Sequence, residues 1–308
     1  MERIIGSYAG SKKGPLLICF GGIHGNEPAG IQAIEEVFER LDKEPLRNPN
    51  FQFKGRLLGI RGNLRATQAG KRYLQKDLNR QWTKENIDRI NATAPSLLQA
   101  EDLEIKEIFS LIQSEINTYQ PSRIVVLDFH TTTAHGGIFS VVTDDPESIQ
   151  IGIKLHAPVI KGLLTGINGT ILHYFKTANF HIPIAAVCFE SGQHQESLSI
   201  TRAVSALINC LRTIGCVAPS HIETKHDEIL QEYSDGLPKL TQLIRIHRIH
   251  TGDKFRMRPG YKNFQWLKKG SAIADDKNGP IVIEEDCFLL MPLYQKQGDD
   301  GFFLIREV

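Results

Sequence analysis

Apolar and polar positions follow two alternating patterns along the first two-thirds of the chain. Short apolar runs such as LLICF, IVVLDFH and IAAVCFE are typical of strands buried on both faces of a sheet. Longer segments between them, including EPAGIQAIEEVFERL and DLEIKEIFSLIQSEINTY, repeat apolar residues at helical spacing. Strands that alternate with helices predict a layered α/β protein with helices on both faces of its sheet.

The last third of the chain has a different pattern. From Leu240 onward, short strand-like runs such as LIRIHRIH, IVIEE and GFFLIRE are separated by turn residues. The polar segment HIETKHDEILQEYSDGLPK precedes them, and we expect it to connect the two parts or to cover part of the functional site. The pattern therefore predicts a catalytic domain over residues 1–217, and a linker with a small, mostly β domain over residues 218–308.

Composition narrows the class of protein. The 308 residues are 41% hydrophobic and 23% charged, with a formal net charge of +1, which gives no electrostatic support for binding nucleic acid or a membrane surface. There is no apolar run of about 18 residues, the length of a membrane-spanning helix, and no signal-like N-terminus. The five cysteines have no CxxC spacing, so we expect free thiols and a cytoplasmic location. The sequence leaves open whether the chain forms a homo-oligomer.

Several acid–base side chains follow predicted strands. His24 and Glu27 come after LLICF, His130 ends IVVLDFH, and Glu190 ends IAAVCFE. Ligands of open α/β sheets bind beyond the carboxyl ends of strands, and two histidines with one carboxylate are a ligand set of catalytic zinc. Asp128, two residues before His130, is a candidate partner for that histidine. Alternatively, FGGIHGNEPAG is only a strand-to-helix turn with a stray histidine.

A further candidate is the stretch KRYLQKDLNR. It contains Arg72 and the adjacent pair Asn79 and Arg80. Arginine presents a planar fork that matches a carboxylate, and a neighbouring amide can share the recognition. The alternative is a solvated basic loop, because lysines crowd the same stretch.

Taken together, four motifs resemble the succinylglutamate desuccinylase/aspartoacylase family, a branch of the zinc carboxypeptidase-like fold. GGIHGNEPAG, DLNR, LDFHTTTAHGG and FESG occur in the family's order over residues 21–192. The resemblance implies a three-layer mixed β-sheet with helices on both faces and a small C-terminal β domain.

The resemblance also implies roles for individual residues. His24, Glu27 and His130 would bind one zinc ion per chain, although other divalent transition metals also fit such ligands. Glu190 would be the general base and acid, and Arg72 would stabilise the oxyanion.

Substrate contacts are implied in the same way. Asn79 and Arg80 would hold a substrate carboxylate, and Tyr294 corresponds loosely to a substrate-contacting tyrosine. A packed strand aromatic is the other interpretation of Tyr294.

One departure from the family pattern bears on specificity. Members that act on dicarboxylates carry a further arginine upstream of the catalytic glutamate, but LHYFKTANFHIPIAAVC has only His173, Lys176 and His181 as candidate cations. We therefore expect a substrate other than N-acetylaspartate or succinylglutamate.

These observations lead to one functional hypothesis and two alternatives. The leading hypothesis is a zinc-dependent hydrolase that cleaves an amide bond beside a free carboxylate in an N-acyl amino acid or similar small molecule. The first alternative is a metallocarboxypeptidase acting on peptides or cell-wall fragments. The second is a metal-binding module without catalytic activity.

Overall fold

A computed structural model describes all 308 residues of the chain. Its strands are β1 (Ile4–Ala9), β2 (Lys12–Gly21), β3 (Lys54–Arg61), β4 (Ile124–Thr132), β5 (Phe139–Val142), β6 (Val159–Lys161), β7 (Ile184–Gln193), β8 (Leu240–Arg248), β9 (Arg256–Met257), β10 (Trp266–Leu267), β11 (Ala272–Asp276), β12 (Gly279–Val282), β13 (Cys287–Leu290) and β14 (Asp300–Glu307). Its α-helices are α1 (Ala29–Arg47), α2 (Leu64–Gln68), α3 (Lys84–Ala92), α4 (Glu101–Tyr119), α5 (Pro146–Lys154), α6 (Leu163–Gly166), α7 (Ile171–Tyr174), α8 (Thr177–Phe180), α9 (Leu198–Thr213) and α10 (Lys225–Ser234).

Eleven strands form one mixed sheet in the order β1-β3-β2-β4-β7-β5-β6-β8-β14-β13-β10. The central strands β3, β2, β4 and β7 are parallel neighbours, so their carboxyl ends meet at one edge of the sheet. Strands β1 and β5 run antiparallel to β3 and β7. Strands β9, β11 and β12 form a separate antiparallel sheet.

Alternate residues of the central strands pack on opposite sides of the sheet. In β2, Leu17 and Cys19 belong to a hydrophobic cluster with residues of α1 and α9. Leu16, Ile18 and Phe20 belong to a second cluster with residues of α3 and α4. The two helical layers explain why LLICF has no polar face, and they confirm the predicted three-layer α/β fold.

The large sheet continues beyond residue 217. Strand β8 pairs in parallel with β6 and antiparallel with β14, so strands from the last third extend the same sheet. The predicted division into 1–217 and 218–308 stays a prediction. None of the helices combines the length and the apolar character needed to cross a membrane.

The polar segment before β8 contains a helix that its pattern did not predict. Helix α10 packs against α9, and its buried residues are only His226 and Leu230. With so narrow a buried stripe, the helical period is hidden among polar residues. This segment does not line the cleft described below, so it connects the two parts and does not cover the site.

Candidate active site

The turn after β2 carries the first two candidate ligands. Gly22 has a φ of 72°, a conformation that glycine adopts without strain, and it lets the chain leave the sheet directly after the strand. His24 and Glu27 follow within this turn, and Pro28 is the residue just before α1. The backbone N–H of Gly25 donates to the carbonyl of Arg72 at 3.1 Å, which joins this turn to the loop after α2.

His130 and Glu190 lie side by side on the next two strands. Parallel pairing of β4 with β7 makes them direct register partners near the carboxyl ends of both strands. The same parallel arrangement joins β4 to β2, with Phe129 opposite Gly21. Sheet register therefore brings residues that are far apart in sequence to the turn that holds His24.

His24, Glu27 and His130 form one buried cluster. Their potential ligand atoms all lie within 4.8 Å of one another. Glu27 lies between the two rings, with Oε1 2.8 Å from Nδ1 of His24 and Oε2 3.1 Å from Nδ1 of His130. The backbone N–H of Thr131 also donates to Glu27 Oε2 at 2.9 Å. The structure thus brings together all three predicted metal-binding residues.

Each histidine of the cluster turns its other nitrogen toward a second carboxylate. Nε2 of His130 lies 2.8 Å from Asp128 Oδ2, and Nε2 of His24 lies 3.2 Å from Asp77 Oδ1. Outer carboxylates of this kind fix the orientation of metal-binding imidazoles. Asp128 was predicted from the sequence as such a partner, whereas Asp77 was not, although it is the acidic residue of DLNR.

The charges of the cluster shift its pKa values in opposite directions. Burial by itself would raise the pKa of Glu27, but His24 and His130 hold it well below its usual range. Burial by itself would lower the pKa of His130, but Asp128 and Glu27 raise it well above its usual range. The cluster is therefore arranged around a negatively charged Glu27.

Glu190 differs from the other carboxylates of the site. It is buried, and its Oε2 has no hydrogen-bond partner. Burial raises its pKa to about 8; the charges of Glu27 and Asp128 add to that rise, while His130 and Arg72 oppose it. A carboxyl group with this environment suits proton transfer near neutral pH.

Arg72 is oriented by two carboxylates. Its Nε and Nη2 donate to Asp77 Oδ2 at 3.2 and 3.0 Å, and its Nη1 lies 3.4 Å from Glu27 Oε1. Burial acts to lower the pKa of Arg72, but Asp77 and Glu27 raise it above the usual arginine value. A permanent positive charge therefore stands beside the cluster.

Asn79 and Arg80 reach the same cleft from the short helical turn of DLNR. The amide oxygen of Asn79 accepts from the backbone N–H of Ile171 at 2.9 Å, which fixes the side chain. Arg80 donates from Nη2 to Asp300 Oδ2 at 2.7 Å. The stretch is therefore a wall of the cleft and not a solvated basic loop.

The cleft has a polar floor and an apolar side. His24, Glu27, His130, Glu190, Arg72, Asn79 and Arg80 all line it. The apolar residues of the lining, called the apolar wall here, are Val141, Leu163, Leu164, Ile167, Leu172, Cys188, Met291, Leu293 and Phe303. Three of these, Met291, Leu293 and Phe303, come from the C-terminal third, from which the sequence had suggested only Tyr294 as a site residue.

Other candidates lie outside the cleft lining. The hydroxyl group of Tyr294 accepts from the backbone N–H of Tyr261 and lies 3.0 Å from the carbonyl of Arg258, so it is committed to the C-terminal part. Its role in substrate binding stays a prediction, while its neighbour Gln295 does line the cleft.

The candidate cations upstream of Glu190 do not line the cleft either. His173 instead caps α7, where its Nδ1 lies 2.7 Å from the Thr170 hydroxyl oxygen. Lys176 and His181 are exposed on the protein surface.

The mixed sheet thus lies between two helical layers and carries this cluster at its carboxyl edge. Residues 13–162 match the succinylglutamate desuccinylase/aspartoacylase catalytic domain. Over these 150 residues the chain is similar to the succinylglutamate desuccinylase/aspartoacylase family.

Similar proteins agree with this assignment. A probable aspartoacylase from Nostoc sp. is 35% identical over 132 residues, which are 42% of this chain and 40% of that protein. The match thus spans well under half the length of that relative. A succinylglutamate desuccinylase/aspartoacylase from Rhodobacter sphaeroides aligns over 96% of this chain and 87% of its own, with a TM-score of 0.65 and 15% identity. A variant of murine aminoacylase 3 aligns over 96% and 95%, with a TM-score of 0.60 and 18% identity.

Proposed function

We propose that this protein is a zinc-dependent hydrolase that cleaves an amide bond beside a free carboxylate, with an N-acyl amino acid or a similar small molecule as substrate. The observation that carries the proposal is the buried His24–Glu27–His130 cluster, with Glu190 and Arg72 in the same cleft. Similarity to a family of amide hydrolases over residues 13–162 supports it.

The residues of the cluster suit zinc. Two imidazole nitrogens and one carboxylate are a donor set that holds catalytic zinc and leaves a coordination position open. The carboxylates behind both rings, Asp77 and Asp128, would keep the Nδ1 atoms directed at the ion. When bound, zinc supplies a Lewis acid that lowers the pKa of water and polarises a carbonyl group.

Glu190 is the proposed proton carrier. Its unpartnered Oε2 can accept a proton from the attacking water and return it to the nitrogen of the leaving amine. Burial favours the protonated form after the first transfer, so the same group can act as base and then as acid.

Arg72, Asn79 and Arg80 would position the substrate. The Arg72 guanidinium, already oriented by Asp77, would donate to the oxygen that becomes negative during attack. Asn79 and Arg80 would hold the substrate carboxylate, which fixes the distance from that carboxylate to the scissile bond.

The shape of the cleft favours a small substrate over a peptide. Gln295 accepts from Asn26 at 2.9 Å, and Gln297 accepts from the backbone N–H of Arg72 at 3.2 Å, so the C-terminal segment crosses the cleft edge. The test is a screen of N-acyl amino acids against tripeptides with added zinc. Faster turnover of tripeptides would favour the metallocarboxypeptidase alternative.

Glu190→Gln tests the mechanism. We expect this variant to bind zinc with unchanged stoichiometry, measured by elemental analysis, and to lose nearly all turnover of a substrate that the wild type hydrolyses. Full activity in the variant would refute the assigned role. Wild-type protein should also be purified without a metal-affinity column, supplied with zinc and analysed for metal. If it contains no transition metal, the zinc site is refuted, and with it both the proposed amide hydrolase and the metallocarboxypeptidase alternative.

A further inference from the structure

The guanidinium assigned to the substrate carboxylate already has an internal counter-ion. Asp300 Oδ2 accepts from Arg80 Nη2 at 2.7 Å, and its other oxygen accepts from Arg248 Nη1. The Asp300 side chain is 9% exposed, so this carboxylate is held between two arginines with little contact with water. Asp300 and Arg80 line the cleft, whereas Arg248 lies behind Asp300 and does not.

The position of Asp300 is set by the sheet. It is the first residue of β14, and its register partner across the β8–β14 pair is Arg248. Arg248 also donates from Nη2 to the carbonyl of Gly166, which anchors the guanidinium on its far side. Asp300 is therefore a fixed feature of the cleft and not a mobile loop residue.

Charge at this end of the cleft is nearly balanced. Two arginines, Arg80 and Arg248, face one carboxylate, Asp300, so this ion-paired group has one excess positive charge before the exposed Asp299 is counted. Arg80 keeps further N–H donors beyond those bonded to Asp300 and to the carbonyl of Asn79. Asp299, exposed and also lining the cleft, adds a second negative charge beside Asp300.

The cleft lining contains no arginine or lysine besides Arg80 and Arg72. Arg72 is the other arginine of the cleft, and Asp77 pairs with it. The apolar wall lines the same cleft, and burial of an unpaired carboxylate against it would be costly.

We propose that Asp300 is a specificity-determining residue: as the fixed counter-ion of Arg80, it restricts the site to N-acyl amino acids that carry one carboxylate and an otherwise uncharged body. This inference rests on the proposed function, in which Asn79 and Arg80 hold the substrate carboxylate. A second carboxylate, on the side chain or on the acyl group, meets Asp300 and Asp299 and is repelled. The uncharged group packs on the apolar wall.

Hydrolysis of N-acetylleucine and N-acetylglutamate by wild type, Asp300→Asn and Asp299→Asn tests this proposal. We expect wild type to prefer N-acetylleucine. Asp300→Asn should lower the KM for N-acetylglutamate on the order of tenfold relative to that for N-acetylleucine, with kcat little changed. Asp299 is more exposed than Asp300, so Asp299→Asn should change the ratio of the two KM values less. An unchanged KM ratio in Asp300→Asn, or a wild-type preference for N-acetylglutamate, would overturn the proposal.

Arg248→Gln should raise a KM value, whereas Asp300→Asn should lower one. Without Arg248, Asp300 neutralises Arg80 alone, so the KM for N-acetylleucine should rise about tenfold. Damage to the fold would weaken both variants, whereas the proposal requires Asp300→Asn to gain affinity for N-acetylglutamate. Equal weakening in both variants would therefore contradict it.

Calorimetric binding separates this proposal from the proposed function. Each variant is combined with Glu190→Gln, so that both acyl amino acids bind without turnover. The substitutions at Asp300 and Arg248 should then change the ratio of the two Kd values in the same direction as the ratio of the two KM values. A shifted Kd ratio with no hydrolysis by the wild type would uphold the role of Asp300 and refute the hydrolase. Failure of every variant to bind either ligand would overturn the role of Asp300.

Discussion

Carboxylates on both sides of each ring determine the orientation of the His24 and His130 imidazoles. Glu27 faces the Nδ1 atoms of both, while Asp77 and Asp128 face the Nε2 atoms. In the proposed zinc site, this arrangement would select one ring nitrogen as the ligand and leave the other as a donor to the outer carboxylate. At the scale of the residue, the orientation of both imidazoles therefore depends on Asp77 and Asp128.

Asp128→Asn should weaken zinc binding by roughly 10–100-fold, because an amide orients and polarises the His130 ring less well than a carboxylate. Asp128 is fully buried, and the substitution keeps its volume. Competition with a chelator of known affinity measures the effect. Asp88→Asn, on the exposed side of α3, is the matched control and should leave the affinity unchanged. Equal affinities in both variants would show that Asp128 does not support the ligand.

At the scale of the element, the loop between α2 and the DLNR turn is held by the start of α4. The fully buried carboxylate of Glu101 accepts three consecutive backbone N–H groups of this loop, those of Leu74, Gln75 and Lys76, at 2.7, 3.2 and 3.2 Å. Arg72 and Asp77 flank these residues. The first residue of a helix thus holds the backbone between Arg72 and Asp77.

Glu101→Gln should lower the free energy of unfolding by about 1–3 kcal/mol, because an amide accepts these hydrogen bonds less strongly and brings unpaired N–H groups. We also expect reduced kcat, since the loop carries Arg72. Urea unfolding and kinetics measure the two effects. Glu85→Gln, at an exposed position in the first turn of α3, should change neither. A variant as stable and active as wild type would contradict this role.

Packing of α10 on α9 predicts a pH effect. Burial lowers the pKa of His226 to about 4, with Arg40 and Lys225 adding to the shift, and its Nδ1 lies 3.1 Å from the Ser205 hydroxyl oxygen. In the unfolded chain this pKa is about 6.5, so the unfolded state binds the proton first as the pH falls. The stabilisation by neutral His226 is complete above pH 6.5 and is lost progressively toward pH 4.

His226→Gln should therefore flatten the dependence of stability on pH between about 6.5 and 4, by on the order of 2 kcal/mol relative to wild type. Urea unfolding at several pH values measures the slope. His135→Gln is the control, because the His135 side chain is 63% exposed. Parallel pH profiles for wild type and His226→Gln would count against the assignment.

At the scale of the whole molecule, the two parts of the chain share a sheet and a hydrophobic cluster. Phe139 and Ile160 from the first part pack with Phe264, Leu290 and Phe303 from the second. Strand β6 has β8 as its outer neighbour. A chain that ends at residue 217 would expose both that strand edge and this cluster.

We therefore expect a chain of residues 1–217 to aggregate, whereas the full chain gives a single species, as measured by size-exclusion chromatography. Circular dichroism of any monomeric fraction provides the second measurement. A monomeric fragment with an α/β spectrum and cooperative unfolding would instead support the predicted domain at 1–217.

Local patterns in the sequence predicted much of the architecture. Apolar runs of strand length between helical repeats were sufficient for the three-layer fold, because burial on both faces removes polar residues from the central strands. His24 and Glu27 were recognisable because one short turn holds both. The C-terminal strands were predicted, but α10 was not, since a helix with two buried residues leaves almost no periodic signal.

Contacts across the fold determined the rest. Whether His130 and Glu190 are neighbours depends on the register of β4 against β7, which no local pattern specifies. The pairing of Asp300 with Arg80 joins residues 220 positions apart. Sequence alone therefore determined the class of fold and the candidate metal-binding residue types. Only the tertiary structure determined which charges meet in the cleft, because electrostatic interactions depend on distance and burial and not on position along the chain.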